Sequence, residues 1–187
     1  MPQRRTWLLV AAIAAISTGA PFARLAAPAP PIAIAALRVG FAAILLLAIG
    51  WKELGALRGI ARRDRPLVLA AGALLAVHFG SWIASLSFTS TAASVALVCT
   101  NPMFAAAFGL FLGDKVRGRE VLGIAIAAAG CAVLAGGDWQ AGGDALIGDA
   151  LALVGAASAA GYLVVGRRLR EAVPLVPYLG VVNAIAA

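Results

Sequence analysis

The chain alternates between long apolar runs and short polar segments. A helix of roughly 20 residues crosses the hydrocarbon core of a bilayer, and most of these runs have about that length. Proline, glycine or charged residues separate one run from the next, which is typical of membrane helices joined by short loops. The pattern predicts spans at 7–23, 32–51, 66–88, 91–112, 120–136 and 146–166, with a seventh beginning at 175.

Composition assigns these helices to a membrane. Of the 187 residues, 63% are hydrophobic and 12% are charged, whereas soluble domains carry about 25% charged residues. Six or seven spans leave no room for a sizeable soluble domain, so we predict an all-α polytopic membrane protein in contact with the lipid bilayer. The net charge of +7 does not indicate a nucleic-acid partner, because the basic residues lie in the short loops.

The basic residues also predict an orientation. They fall at alternate ends of successive spans, and cytoplasmic loops of membrane proteins are rich in Lys and Arg. The N-terminus is therefore expected in the cytoplasm. A cleaved signal peptide at the N-terminus is disfavoured, because its removal would invert the remaining charge pattern. The residues of these loops are Arg4, Arg5, Lys52, Arg58, Arg62, Arg63, Arg65, Lys115, Arg117, Arg119, Arg167, Arg168 and Arg170.

Two segments hint at an internal repeat. Residues 7–26 and 150–169 share an alanine-rich run, a serine, a glycine and a following basic residue. A repeat here makes residues 1–137 one five-helix unit and residues 146–187 the start of a second. Because five is odd, the second unit is inverted in the membrane, as in many secondary transporters.

Three stretches resemble the drug/metabolite transporter superfamily of the EamA type. They are "AALRVGFAAILLL" at 35–47, "HFGSWIASLSFTSTAASVALVCTNPMFAAAFGLFLGDKV" at 78–116 and "GDALALVGAASAAGYLVVGRRLR" at 148–170. The resemblance implies a ten-helix carrier built from two inverted five-helix repeats. On this comparison the chain looks truncated within its second repeat, with 6–7 of the ten helices present.

The resemblance also implies a function. Such carriers move small metabolites, amino acids or drug-like solutes across the bacterial cytoplasmic membrane by alternating access, often outward. A small-molecule solute is the implied partner, and a second copy of the chain is another, since a homodimer would complete the path. The alternative is a truncated, non-transporting membrane partner with a regulatory or assembly role.

His78 is the only histidine and lies inside the third span. Trp82 follows at i+4 and Ser85 at i+7, so the three side chains share one helix face. A hydrogen-bonding ring, an indole and a hydroxyl suit the wall of a solute cavity. The alternative is that His78 bonds a neighbouring helix and Trp82 fills space.

The fourth span is interrupted near its middle by Asn101 and Pro102. Proline removes a backbone donor and leaves a carbonyl unpaired one turn earlier. Broken helices form binding sites at the membrane midplane, which makes Asn101 a substrate-binding candidate and Pro102 a gating candidate. A structural kink repaired by neighbouring helices is the alternative.

The first span has a similar interruption at Ser17, Thr18, Gly19 and Pro21, and Tyr162 lies at the corresponding place in the sixth span. Symmetry-related interruptions point to a central site. We therefore predict Ser17, Thr18 and Tyr162 as substrate-binding residues and Gly19 and Pro21 as positions of helix break or gating. Hydroxyls in membrane helices also bond their own backbone, which is the simpler role.

Arg38 lies in the outer part of the second span. Pairing with an anionic substrate is one interpretation, but long side chains near an interface commonly snorkel or cap carbonyls, so a structural role is favoured. Catalytic and metal-binding motifs are absent from the sequence. We therefore expect no enzyme activity and no cofactor.

Overall fold

The computed structural model describes residues 2–114, 118–169 and 173–187. Lys115, Arg117 and Arg170 of the basic loops lie outside these ranges. No strand occurs in the described ranges, and the helices are α1 (Pro2–Ser17), α2 (Gly19–Leu25), α3 (Pro31–Ile49), α4 (Arg65–Ser85), α5 (Thr91–Val98), α6 (Asn101–Phe111), α7 (Gly118–Ala141), α8 (Gly143–Leu169) and α9 (Leu175–Ala186). Two 3₁₀ segments, Trp51–Gly59 and Arg62–Asp64, join α3 to α4.

Within the described residues, five segments are long and apolar enough to cross a bilayer, judged by length and composition. The other two predicted spans fall in α7 and in α9, which is a shorter apolar helix of 12 residues. The prediction of an all-α polytopic membrane protein is confirmed. The five segments are Thr6–Leu25, Pro31–Ile49, Arg62–Ser85, Thr91–Phe111 and Gly143–Arg167.

Two of these five segments contain a break in the helix. The first is interrupted at Thr18, between α1 and α2, and the fourth at Cys99 and Thr100, between α5 and α6. Pro102 occupies the first turn of α6, where a missing backbone donor costs little. The Thr100 hydroxyl donates to the Leu97 carbonyl at 2.6 Å, so a side chain compensates part of the interrupted ladder.

Helix α4 is the centre of the bundle and packs against α3, α5, α8 and α9. Its longest contact is with α8, which runs antiparallel to it. Glycines allow this close approach, because a Cβ added at Gly155 would lie 3.3 Å from the carbonyl oxygen of His78, and one added at Gly161 would lie 3.2 Å from Leu74. Small residues at such contacts let two membrane helices pack backbone to backbone.

Helix α9 packs against α3 and α4 in the same way. A Cβ added at Gly180 would lie 2.8 Å from Leu47, and one added at Gly50 would lie 3.2 Å from Pro177. The pairing of Leu47 with Gly180 and Gly50 with Pro177 makes α3 and α9 antiparallel. Helix α1 differs from α8 and α9, because its large side chains are exposed and suit contact with lipid, as at Trp7 (72% exposed).

Candidate functional site

A guanidinium group lies against two aromatic rings where α3 meets α4. The Cζ atom of Arg38 is 4.9 Å from the ring centroid of Phe79 and 5.4 Å from that of Trp82. Arg38 lies about 10 Å along the axis of α3 from its first residue, at 1.5 Å per residue. This depth places a charged group inside the apolar segment, where arginines are rare and commonly mark a substrate or ion pathway.

His78 extends the aromatic cluster toward α8. Its Nδ1 atom lies 2.8 Å from the carbonyl oxygen of Gly155, so Nδ1 carries the hydrogen that is donated. In the neutral ring Nε2 is then an acceptor. The ring stacks on Trp82 with centroids 6.1 Å apart and an interplanar angle of 12°, as expected from their i+4 spacing. His78 therefore joins two helices and orients Trp82.

Trp82 is the buried member of this cluster. Its side chain is 7% exposed and packs with Ala20, Ala23, Ala35 and Val98. Among the described residues, none accepts a hydrogen bond from its Nε1 atom. A buried N–H group without an acceptor costs about 1–3 kcal/mol. Buried polar groups without a partner are rare in native proteins, and functional sites are among the places where they occur.

A cavity of about 310 Å³ adjoins the cluster. It lies between the break in the first span and helices α3 and α4. Thr18, Gly19 and Arg38 contribute its polar surface. Its volume is at the lower end of the range of about 300–1,000 Å³ that is usual for small-molecule sites. The complete lining consists of Ala15, Thr18, Gly19, Phe22, Ala23, Ile34, Arg38 and Ile83.

A second cavity, of about 320 Å³, shares the walls Ala23, Ile34 and Ile83 with the first. It lies nearer the loop after α2 and the loop after α4, and Arg24 is part of its lining. Arg24 donates from Nη2 to the carbonyl oxygens of Leu86 at 2.8 Å and Thr89 at 2.6 Å. The two cavities together follow the groove between α2, α3 and α4.

The hydroxyl groups of the first span bond their own helix. Ser17 donates to the Ile13 carbonyl at 2.8 Å, and Thr18 donates to the Ala15 carbonyl at 2.8 Å. Thr18 also lines the cavity of about 310 Å³, whereas Ser17 is not among its lining residues. Pro21 is exposed and lies in α2. Its gating role and the binding roles of Ser17 and Thr18 stay predictions.

Gly19 has a more specific environment. A Cβ at this position would lie 2.8 Å from Nη1 of Arg38 and 3.3 Å from its Nη2. The head of the guanidinium therefore reaches the backbone of α2 at a residue without a side chain. A side chain at this position would displace the guanidinium of Arg38, which is the flexible end of its side chain.

Asn101 and Tyr162 lie on other elements. Asn101 is half-buried at the first position of α6, and Pro102 beside it is exposed. Tyr162 is half-buried on α8 and packs with a second cluster, which includes Leu75, Tyr178 and Val182. Phe79 packs against both clusters and connects them. The substrate-binding roles of Asn101 and Tyr162 and the gating role of Pro102 stay predictions.

Sequence reasoning missed two features of this region. Phe79 follows His78 directly and precedes Trp82 by three residues, a helical spacing that could have indicated its place in the cluster. Asp149 is the second, and it is 6% exposed in α8. Its position within the apolar run 146–166 was the available signal.

These features define a polytopic helical membrane protein with a cavity that Arg38 and Phe22 line. Residues 5–136 match the EamA-like transporter family. The chain belongs to this family, which consists of membrane transporters of the drug/metabolite kind. The resemblance found in the sequence is thereby confirmed. Neither the curated proteins nor the solved structures gave a match.

Proposed function

We propose that the chain is a secondary transporter that moves small metabolites, amino acids or drug-like solutes out of the cell by alternating access. The observation that carries this proposal is the cavity lined by Arg38, whose guanidinium contacts the ring of Trp82 inside a bundle of apolar helices. Polar groups at this depth are costly without a partner, and a solute that contacts them offsets the cost. The membrane is the bacterial cytoplasmic membrane, with the N-terminus in the cytoplasm.

The helix arrangement supports an inverted repeat with units at 1–137 and 146–187. In this division α3 and α9 are the second helices of the two units. They pack against each other and run antiparallel, with Leu47 beside Gly180 and Gly50 beside Pro177. Inverted repeats relate equivalent helices by an axis in the membrane plane, and the relative motion of the two units exposes a shared site to each side in turn.

Contacts at the two ends of the bundle support an outward-facing arrangement. At one end, Arg167 of α8 lies 3.2 Å from Asp114 after α6, which joins the two helices. The cavities lie toward the other end, near Ile83, Leu86 and Ser87. Under the proposed orientation, the joined end is cytoplasmic and the cavities face outward.

The experiment that tests the function is solute movement through liposomes containing the purified 187-residue chain. Counterflow of labelled amino acids and amphipathic solutes is compared with that of protein-free liposomes. We expect at least one solute to exchange faster in the presence of the chain. Exchange no faster than in protein-free liposomes for every solute tested would contradict a transport role.

A further inference from the structure

The two arginines of the α2–α3–α4 groove have different surroundings. Arg24 donates hydrogen bonds to the carbonyls of Leu86 and Thr89. Arg38, by contrast, has no carboxylate at ion-pair distance and no hydrogen-bond acceptor among residues 2–114, 118–169 and 173–187. Its contacts are the faces of Phe79 and Trp82.

Stacking leaves the hydrogen-bonding capacity of Arg38 unused. An arginine keeps its charge in proteins and presents five N–H donors around the edge of a planar group. Aromatic rings engage the faces of this group and leave the edge available for a bidentate acceptor. A carboxylate, phosphate or sulfonate fits such an edge, and the resulting charge-assisted bonds are stronger inside a low-dielectric site.

The cavity brings an acceptor within reach of that edge. Arg38 is part of its lining, and the absence of a side chain at Gly19 leaves space for the guanidinium head. Neither of the two adjoining cavities has an acidic residue in its lining. The lining residues Phe22, Ile34 and Ile83 are apolar and suit the hydrocarbon portion of a solute. The groove therefore combines one cation with apolar surface.

We propose that this cavity binds a small organic anion, whose anionic oxygen atoms accept hydrogen bonds from Arg38 while its apolar part contacts Phe22, Ile34 and Ile83. This inference rests on the proposed function, because the anion is taken to be the transported solute. Arg38 then supplies the hydrogen-bond donors that hold the anionic group. The positive charge that lacks a protein partner is neutralised when the solute binds.

Matched pairs of probes test the role of charge. Benzoate and benzamide have nearly the same shape but differ in charge, and phenyl phosphate and benzenesulfonate extend the set of anions. Binding is measured by calorimetry with the full chain in nanodiscs of zwitterionic phosphatidylcholine. We expect an anion of this set to bind at least about tenfold more tightly than benzamide, as is usual for charge-assisted recognition.

Variants locate the effect. Arg38→Gln removes the charge and should abolish the preference for the anion, whereas Arg62→Gln, at an exposed position, should leave it unchanged. Arg38→Lys keeps the charge but loses the planar edge and should give an intermediate result. Gly19→Ala adds a methyl group 2.8 Å from Nη1 and should weaken anion binding by displacing the guanidinium. Gly80→Ala is its control, because an added Cβ there contacts nothing within 4 Å.

Several outcomes would overturn the proposal. They are equal binding of benzoate and benzamide, no binding by any of the carboxylate, phosphate and sulfonate probes, or an anion preference that survives in Arg38→Gln. If Arg38→Gln does not fold, the comparison of Gly19→Ala with Gly80→Ala decides. Stabilisation by phosphatidylglycerol that depends on Arg38, without binding of a soluble anion, would assign the site to a lipid headgroup and also overturn the proposal.

The binding assay separates this inference from the proposed function. Anion binding that depends on Arg38, in a chain that moves no solute through liposomes, would support the site and contradict transport. Transport of solutes irrespective of their charge, with no effect of Arg38→Gln, would support the transporter and overturn the anion site.

Discussion

Two neighbouring faces of α4 are packed in different ways. The face toward α8 is closed by glycines of α8, which bring the backbone of α8 against α4 at Gly155 and Gly161. The face toward α2 and α3 carries Phe79 and Ile83 and leaves a cavity that Arg38 enters. Trp82 lies between these two faces. A Cβ added at Gly155 of α8 would lie 3.3 Å from the Cβ of Trp82, and the ring of Trp82 contacts Arg38 of α3.

The difference shows how one helix can provide both a rigid contact and a binding surface. Glycine and alanine contacts in a membrane maximise van der Waals packing and leave little space for a ligand. Large side chains on the adjacent face hold the neighbouring helices apart, and the space between them holds a charged group. The glycine contacts should therefore determine stability, and the aromatic face should determine what binds.

The largest expected effect is at the glycine contact. In Gly148→Leu, the new side chain would begin 2.8 Å from the backbone nitrogen and Cβ of Thr89, so the loop between α4 and α5 would have to shift away from α8. We expect the free energy of unfolding to fall by about 3 kcal/mol, at the upper end for overpacking. Reversible unfolding in mixed micelles measures the change.

Gly123→Leu on α7 is the matched control, because a Cβ there contacts nothing within 4 Å. Its effect should stay within about 0.5 kcal/mol, as for exposed positions generally. Equal losses in the two variants would contradict the view that α8 needs close backbone approach to the end of α4 and the loop that follows it.

The second effect compares the two arginines. Arg24→Gln deprives the carbonyls of Leu86 and Thr89 of their donor and should lower the free energy of unfolding by about 2 kcal/mol. Arg38→Gln should lower it by less, since the variant loses ring contacts but also removes an unpaired charge from the apolar segment. Reversible unfolding in mixed micelles measures both changes. A larger loss of unfolding free energy in Arg38→Gln than in Arg24→Gln would favour the structural role predicted for Arg38 from the sequence.

The third effect concerns the border between the two faces. His78→Phe keeps an aromatic ring beside Trp82 but loses the bond to the Gly155 carbonyl, which should cost about 1 kcal/mol of stability. If His78 also contacts solute, initial transport rates should fall by about tenfold at equal amounts of protein in the liposomes.

Ser81→Ala is the comparison variant for His78→Phe, because the Ser81 hydroxyl donates to the Val77 carbonyl of its own helix at 2.6 Å. It should leave transport within about twofold of the unmodified chain, since a bond within one helix carries little net energy. Undiminished transport in His78→Phe would leave His78 with a packing role.

The helices could be predicted from the sequence because membrane spans are recognised by length and hydropathy alone. Local chemistry also indicated where helices break, since Thr18 and Pro102 disturb the backbone of their own segments. The stacking of His78 on Trp82 follows from i+4 spacing on one helix. Each of these features depends on residues close together in the chain.

Features that depend on helix register could not be predicted. The contact of Arg38 with Phe79, and the space that Gly19 leaves for it, require the relative heights of three different spans. No periodicity within one span contains that information. The bond between His78 and Gly155 is of the same kind, because it joins residues 77 positions apart.

The smallest expected effect is at the Arg167–Asp114 pair, away from both faces of α4. Each side chain is 52% exposed, and ion pairs of this exposure contribute about 0–1 kcal/mol. A double-mutant cycle of Asp114→Asn and Arg167→Gln should therefore give a coupling energy below about 1 kcal/mol that declines as salt is added. A coupling above about 2 kcal/mol that resists salt would mean that the pair is desolvated in the membrane-embedded protein. The pair would then hold α6 against α8 strongly enough to oppose opening at that end. The stability of the bundle would no longer depend mainly on the glycine contacts between α8 and α4.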